Sequence, residues 1–231
     1  MIMKRFILFT PLLFLAFYYS LMKYNILYAI PDALTLLEMF LNLIPFIFLA
    51  VISYRKLKKI SLFQTMVLSV FCMYLFCLWF YTLGYFPYRE IFAGNMLSLE
   101  QQTSPQVNLT LLGTIRGSIT PENIYGNILL LFPLAVFLVI LSPRFRKFIP
   151  AMLVIICVTL CIESLQYFYS YIDGKYSDYP RNRAFDVDDL LLNTVGGSIG
   201  YLFSKYLCLL LIRSTSKMKT KNLRTSTHMK S

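Results

Sequence analysis

The sequence predicts an all-α integral membrane protein that crosses the bilayer about six times. Of its 231 residues, 58% are hydrophobic and only 14% are charged. A soluble chain of this length cannot bury so much apolar surface inside one core. Two further observations support this fold class. The apolar residues fall into six long stretches, and the Lys and Arg residues are concentrated in every second segment outside these stretches.

The six apolar stretches are long enough, or nearly so, to cross the roughly 30 Å of hydrocarbon in a bilayer. They are predicted at about 6–22, 30–52, 60–83, 124–141, 148–168 and 188–212. The first is short and follows Lys4 and Arg5, as a signal peptide would. It has no small-x-small cleavage site and more stretches follow, so we interpret it as a retained helix.

The Lys and Arg residues predict the orientation of the chain. Fifteen of the 22 lie in one set of alternating segments and six in the opposite set, while Lys205 lies in the last apolar stretch. Because cytoplasmic loops are enriched in Lys and Arg, this distribution places both termini in the cytoplasm. The net charge of +11 therefore reflects topology, and no nucleic-acid partner is expected.

These patterns divide the chain into four parts. Residues 1–83 form an N-terminal three-helix membrane extension, 84–123 an extracytoplasmic segment, 124–212 a three-helix core and 213–231 a basic cytoplasmic tail. Gly and Pro residues along the extracytoplasmic segment predict irregular structure with one or two short helices.

The five cysteines all lie in apolar stretches and form no CxxC pair, so we interpret them as small buried hydrophobes. The single histidine, His228, lies in the polar tail. This excludes catalysis by a histidine inside the membrane and a histidine-rich zinc site. No metal and no resident cofactor are expected, except for Mg²⁺ under the enzymatic alternative described below.

One face of the sixth predicted helix is polar or small. With about 100° per residue, six residues fall on that face, and they are Asp186, Asp189, Asn193, Gly196, Gly197 and Gly200. Asp188 falls toward the other side. The spacing Gly196-x-x-x-Gly200 is typical of helices whose backbones approach closely. Either this face takes part in a polar site, or the acidic residues only cap an exposed helix start.

Two other predicted helices carry polar residues at the same depth. Glu163 and Gln166 are one turn apart near the outer end of the fifth helix, and Asn127 lies just inside the fourth. An unpaired carboxylate is costly in an apolar helix, so Glu163 needs a partner. Arg183 or Arg181 could form a structural ion pair with it, and this remains an alternative to a binding role.

The polar residues occur in an order that resembles the VanZ family of bacterial membrane proteins, named for a teicoplanin-resistance protein. The resemblance covers about residues 105–205 and rests on three blocks: Asn127-Ile-Leu-Leu-Leu-Phe132-Pro133, Glu163-Ser-Leu-Gln166, and Arg183-Ala-Phe-Asp186-Val-Asp188-Asp189 followed by Asn193-Thr-Val-Gly196. The family's Asn-Leu-Ile-Pro-Phe element occurs here at 42–46, far upstream of its usual place. The expected spacing fits Val107-Asn108-Leu109 instead, where Pro-Phe is missing.

The resemblance implies a bacterial plasma-membrane protein that lowers susceptibility to glycopeptide antibiotics such as teicoplanin. We hypothesise an outward-facing polar pocket, formed by Asn127, Glu163, Gln166, Arg183, Asp186, Asp188, Asp189 and Asn193. Its ligand would be amphipathic: a membrane lipid, a lipid-linked cell-wall precursor or a lipoglycopeptide. Gly196, Gly197 and Gly200 would serve helix packing.

The sequence also allows two other functions, an enzyme and a transporter, although it favours a binding protein over an enzyme. In the first, Asp186, Asp189 and Asn193 hold Mg²⁺ in an enzyme that acts on a lipid phosphate or lipid-linked sugar. Glu163 would then be the base, and Arg183 would bind phosphate. The second is a small transporter, which ranks last because the sequence shows no inverted repeat.

Overall fold

The structure, a computed structural model, describes residues 2–24, 32–56, 60–84, 86–94, 96–117, 120–177 and 183–228. Within these ranges the chain is all-α, as predicted, apart from one pair of two-residue strands. The elements in order are α1 (Ile2–Tyr24), α2 (Ala33–Lys56), α3 (Leu62–Thr82), α4 (Tyr88–Phe92), β1 (Val107–Asn108), α5 (Gly113–Gly117), α6 (Pro121–Leu141), a 3₁₀ turn (Pro143–Arg146), α7 (Phe148–Tyr176), β2 (Phe185–Asp186) and α8 (Val187–His228).

Four of the described helices are long and apolar enough to cross a membrane: α2, α3, α6 and α7. The membrane assignment is therefore supported by helices observed at four of the six predicted positions. Helices also occur at the other two positions, in α1 and α8, but the count of six crossings stays a prediction. α8 continues to His228, well past the predicted end at 212, because the basic tail is also helical.

The helix starts follow from local sequence. Ser61 caps α3 by accepting a hydrogen bond from the backbone amide of Gln64, whose side chain accepts from the Ser61 amide in return. Thr120 caps α6 by accepting from the Asn123 amide, and Pro121 occupies the first helical position, where its missing N–H costs nothing. These caps set where α3 and α6 begin.

Helices α6 and α8 pack with their backbones in close contact. Gly196 and Gly200 lie directly under the backbone carbonyls of Ile128 and Phe132, so close that a Cβ atom at either glycine would overlap them. The small-residue seam predicted on α8 therefore has α6 as its partner. Gly197 faces the side chain of Ile155 on α7, so the three glycines bring α8 against two neighbours.

Two buried clusters hold the bundle together. One lies between α6, α7 and α8 and includes Leu131, Ala135, Val139, Ala151 and Ile155, which are completely buried. The other joins α1, α2 and α3 through Leu8, Phe46, Cys72, Phe76 and Phe80. α3 connects the two groups, since the Tyr74 hydroxyl donates a 2.7 Å hydrogen bond to the Leu130 carbonyl on α6.

Asn42 on α2 has a structural role. Its amide nitrogen donates to the Phe86 carbonyl at 3.2 Å and its oxygen accepts from the Phe86 amide at 2.9 Å. This two-way contact ties α2 to the segment that leaves α3. Just before α2, Asp32 pairs with Arg89 at 3.1 Å. Hydrogen bonds from Thr35, and then from Arg89, lower the pKa of Asp32 to about 2.

Candidate functional site

A polar cavity of about 170 Å³ lies at one end of the bundle, between α3, α6, α7 and α8. It forms where α3 ends, where α6 and α8 begin, and beside the second half of α7. Its lining is Tyr81, Thr82, Thr114, Asn123, Asn127, Leu130, Ile162, Glu163, Gln166, Arg183, Asp189 and Asn193. The structure thus brings together six of the eight residues predicted as a pocket.

Asn127 and Asp189 close one side of the cavity. The Asn127 amide donates a hydrogen bond to the Asp189 carboxylate. These residues meet because each lies in the first turns of its helix and the glycine seam holds α6 against α8. The carboxylate also lies at the amino end of α8, where the helix dipole favours a negative charge.

Glu163 and Gln166 form the wall that α7 contributes. Glu163 is only 1% exposed and accepts a 3.3 Å hydrogen bond from the backbone amide of Asp186. Gln166 donates a 3.0 Å hydrogen bond to the Thr82 carbonyl at the end of α3. The partners of Glu163 and Gln166 are therefore backbone groups that fix the two side chains at the cavity edge.

Arg183 lines the cavity but makes no ion pair with Glu163. Its backbone amide donates to the Ser170 hydroxyl at 3.0 Å. This hydrogen bond attaches the residues just before α8 to helix α7. The structural ion pair considered from the sequence is thus not formed by Arg183, since its side chain is exposed and the Asp186 amide takes that position at Glu163. Arg181 lies outside the described residues.

Asn193 is the polar group of the cavity that needs a further explanation. Its side chain is 1% exposed, yet neither its amide nitrogen nor its oxygen has a hydrogen-bond partner among the residues that the structure describes. A buried amide without partners costs about 1–3 kcal/mol, and such groups are rare in native proteins. The cavity therefore offers the Asn193 amide nitrogen as a donor and the amide oxygen as an acceptor to a bound polar molecule.

Asp186 and Asp188 do not line the cavity, in contrast to the prediction. Asp186 accepts a 2.6 Å hydrogen bond from the Thr114 hydroxyl and a weaker one from the Asn108 amide. Val107 and Asn108 also pair with Phe185 and Asp186 as two short parallel strands. The carboxylate of Asp186 thus holds the segment that carries Asn108 and Thr114 onto the start of α8.

Asp188 has the same kind of role and is completely buried. Its two oxygens accept hydrogen bonds from the backbone amides of Leu112, Thr114 and Ile115 at 2.6, 2.9 and 3.1 Å. Leu112 has a positive φ of 61°, which bends the backbone so that successive N–H groups converge on the carboxylate. The position of Asp188 on the other side of α8 was predicted; its loop partner was not.

Several contributors were missed in the sequence. They are Tyr81, Thr82 and Thr114, which line the cavity, and Asn108, which contacts Asp186. Asn108 had a usable signal, because its spacing matched the displaced Asn element of the resemblance. Thr114 had none, since a threonine in a loop has no periodicity to mark its partner.

The fold and the site define a polytopic α-helical membrane protein with a polar cavity at one end of the bundle. A family model described as VanZ/LLP1 matches residues 71–211, more than half of the chain. The chain belongs to the VanZ/LLP1 family, which confirms the resemblance. Neither the curated proteins nor the solved structures include a match to it.

The matched region begins in the middle of α3, earlier than the resemblance indicated. The structure gives a physical reason, because α3 packs on α6 and contributes Tyr81 and Thr82 to the cavity. The matched region includes Asn108, which contacts Asp186, and excludes residues 42–46. The Val107-Asn108-Leu109 stretch therefore fits the displaced family element better than the copy on α2.

Proposed function

We propose that this chain is an integral membrane protein that binds an amphipathic envelope ligand and holds its polar head in the cavity. The observation that carries the proposal is Asn193, whose buried amide is left without partners inside a cavity lined by carboxylates and other amides. A ligand that satisfies this amide would offset its desolvation cost. Glu163 and Asp189 add carboxyl oxygens, which accept hydrogen bonds from donor groups of a ligand.

The distribution of Lys and Arg supports an outward-facing cavity. If both termini are cytoplasmic, the ends of α3 and α7 and the starts of α6 and α8 lie on the outer side of the bacterial plasma membrane. The ligand would then enter from the outer leaflet. Outer-leaflet lipids, lipid-linked cell-wall precursors and lipoglycopeptides all have a polar head joined to a long apolar chain.

Binding such a ligand would link the site to antibiotic susceptibility. A protein that sequesters a lipoglycopeptide, or that alters the precursor or lipid it acts upon, would lower susceptibility to teicoplanin. The family membership supports this outcome.

The magnesium-dependent enzyme has less support. It requires Asp186, Asp189 and Asn193 to converge on one ion, but the Asp186 carboxylate is already occupied by Thr114, Asn108 and the Asp188 amide. We therefore favour binding over catalysis.

The double variant Glu163→Gln/Asp189→Asn should abolish any reduction in teicoplanin susceptibility that the unaltered chain confers. Replacing the two carboxyl groups by amides of the same shape leaves each position one acceptor oxygen fewer, and this should weaken ligand binding about tenfold or more. The measurement is the inhibitory concentration of teicoplanin in cells that express equal membrane amounts of each variant. The matched control is Glu100→Gln, an exposed acidic residue outside the cavity. Unchanged protection in the double variant would refute the proposal.

A further inference from the structure

A second space in the bundle is apolar and opens between α2, α3 and α7. This groove has a volume of about 590 Å³. Apart from Thr82, its lining side chains are hydrocarbon, aromatic or thiol groups, among them Phe46, Leu78, Cys157 and Cys161. Because all three helices are apolar enough to cross a membrane, the groove lies at the depth of lipid chains.

The groove and the polar cavity share a wall. Thr82 at the end of α3 and Ile162 on α7 line both spaces. On α7 the groove extends from Leu153 to Leu165, a rise of about 18 Å at 1.5 Å per residue. This is somewhat more than half of the roughly 30 Å hydrocarbon thickness. The apolar space therefore begins beside the polar one and has the depth of a single leaflet.

The polar cavity favours one kind of head group. The unpartnered Asn193 amide offers a donor and an acceptor side by side. A hydroxyl can accept from one and donate to the other, whereas a phosphate oxygen only accepts and an ammonium group only donates. The ionisable lining residues are two carboxyl groups, Glu163 and Asp189, and one guanidinium, Arg183, so the cavity offers no cluster of positive charge to a phosphate.

We propose that the groove and the cavity form one site for an uncharged, hydroxyl-bearing lipid, whose sugar or glycerol head occupies the cavity and whose hydrocarbon chain occupies the groove. This inference rests on the proposed function and names the ligand class. Inside a bilayer, moving a chain from lipid into an apolar groove has little hydrophobic driving force, so the groove contributes packing. The groove therefore orients the lipid, and the cavity selects its head.

The test uses three probes with the same alkyl chain and a photoreactive diazirine at the chain end, carrying a glucoside, a phosphate or an ammonium head. Purified full-length protein in phosphatidylcholine nanodiscs is irradiated, and the labelled peptides are mapped. The glucoside should label residues 75–83 and 153–165 roughly fivefold more than other lipid-facing helices, because the groove holds its chain in one place. The other two probes should show no such preference. Labelling that is uniform, or that favours phosphate or ammonium, would overturn the assignment.

Matched variants separate the groove from the cavity. Cys161→Trp fills the groove near its junction with the cavity and should remove the preferential labelling, as should Cys157→Trp one turn away. Cys77→Trp makes the same change at an exposed position on α3 outside the groove and should have no effect. Asn193→Leu should also remove the preference, since it deletes the head contact. Size-exclusion profiles identify any variant that fails to fold.

The outcomes also separate this inference from the proposed function. Preferential labelling that persists in both groove variants would overturn the groove assignment, while loss of protection in Glu163→Gln/Asp189→Asn would still support a binding cavity. Unchanged protection in the double variant would remove the proposed function, whatever the labelling shows.

Discussion

An Asp188→Ala variant should lose about 4 kcal/mol of stability, because three partly buried backbone amides would lose their shared carboxylate acceptor at once. The amides belong to Leu112, Thr114 and Ile115, and the carboxylate that they share is completely buried. No other acceptor replaces it in the contacts of these three amides. The segment of residues 107–117 should detach from the start of α8, and the cavity should then lose Thr114 from its lining.

The loss is measured as the midpoint of thermal unfolding in detergent and as the rate of proteolysis in residues 96–117. Asp188→Asn keeps the shape and one acceptor oxygen, so it should fall between alanine and the unaltered chain. Glu100→Ala removes an exposed carboxylate of the same segment and should change neither quantity. An Asp188→Ala variant as stable and as protease-resistant as this control would show that the loop is held elsewhere.

Gly196→Ala should separate α6 from α8 and cost about 3 kcal/mol or more, since overpacking against a rigid backbone is not relieved by a rotamer change. The added Cβ would overlap the carbonyl and Cα of Ile128. Separation would also pull Asn127 away from Asp189, because the same helix pair brings them together. We therefore expect loss of stability and loss of ligand binding in one variant.

The three glycines of α8 provide a graded series. Gly200→Ala meets the Phe132 backbone and should also be strongly destabilising, whereas Gly197→Ala meets only side-chain atoms of Ile155, the nearest at 2.6 Å, which can move. The midpoints of thermal unfolding should therefore place Gly197→Ala nearest to the unaltered protein. A Gly196→Ala variant more stable than Gly197→Ala would contradict the observed packing.

Much of the fold was predictable from the sequence, because hydrocarbon thickness dictates helix length and helix periodicity dictates which side chains share a face. The lengths of α3 and α6 and the single face carrying Asp189 and Asn193 follow from these two rules alone. The small-residue seam of α8 was equally predictable, since Gly196 and Gly200 are four residues apart.

The partners of individual polar residues were not predictable, because they depend on how irregular segments fold back. Asp186 and Asp188 lie in the same acidic run as Asp189, yet they bind the loop through Asn108, Thr114 and backbone amides. Nothing in residue spacing separates a carboxylate that faces a cavity from one that accepts loop amides. The lack of hydrogen-bond partners at Asn193 is likewise visible only in the structure, because it depends on which groups surround the side chain.

The account depends most on a cavity that opens to the outside of the cell. A single cysteine placed at Asn123, which lines the cavity and is exposed, tests this in a chain whose five natural cysteines are replaced by serine. Ser142→Cys, in the connection between α6 and α7, is the matched position at the opposite end of α6. In intact cells, a membrane-impermeant thiol reagent should label Asn123→Cys and should reach Ser142→Cys only after the membrane is broken. Labelling of Ser142→Cys but not of Asn123→Cys in intact cells would contradict the account.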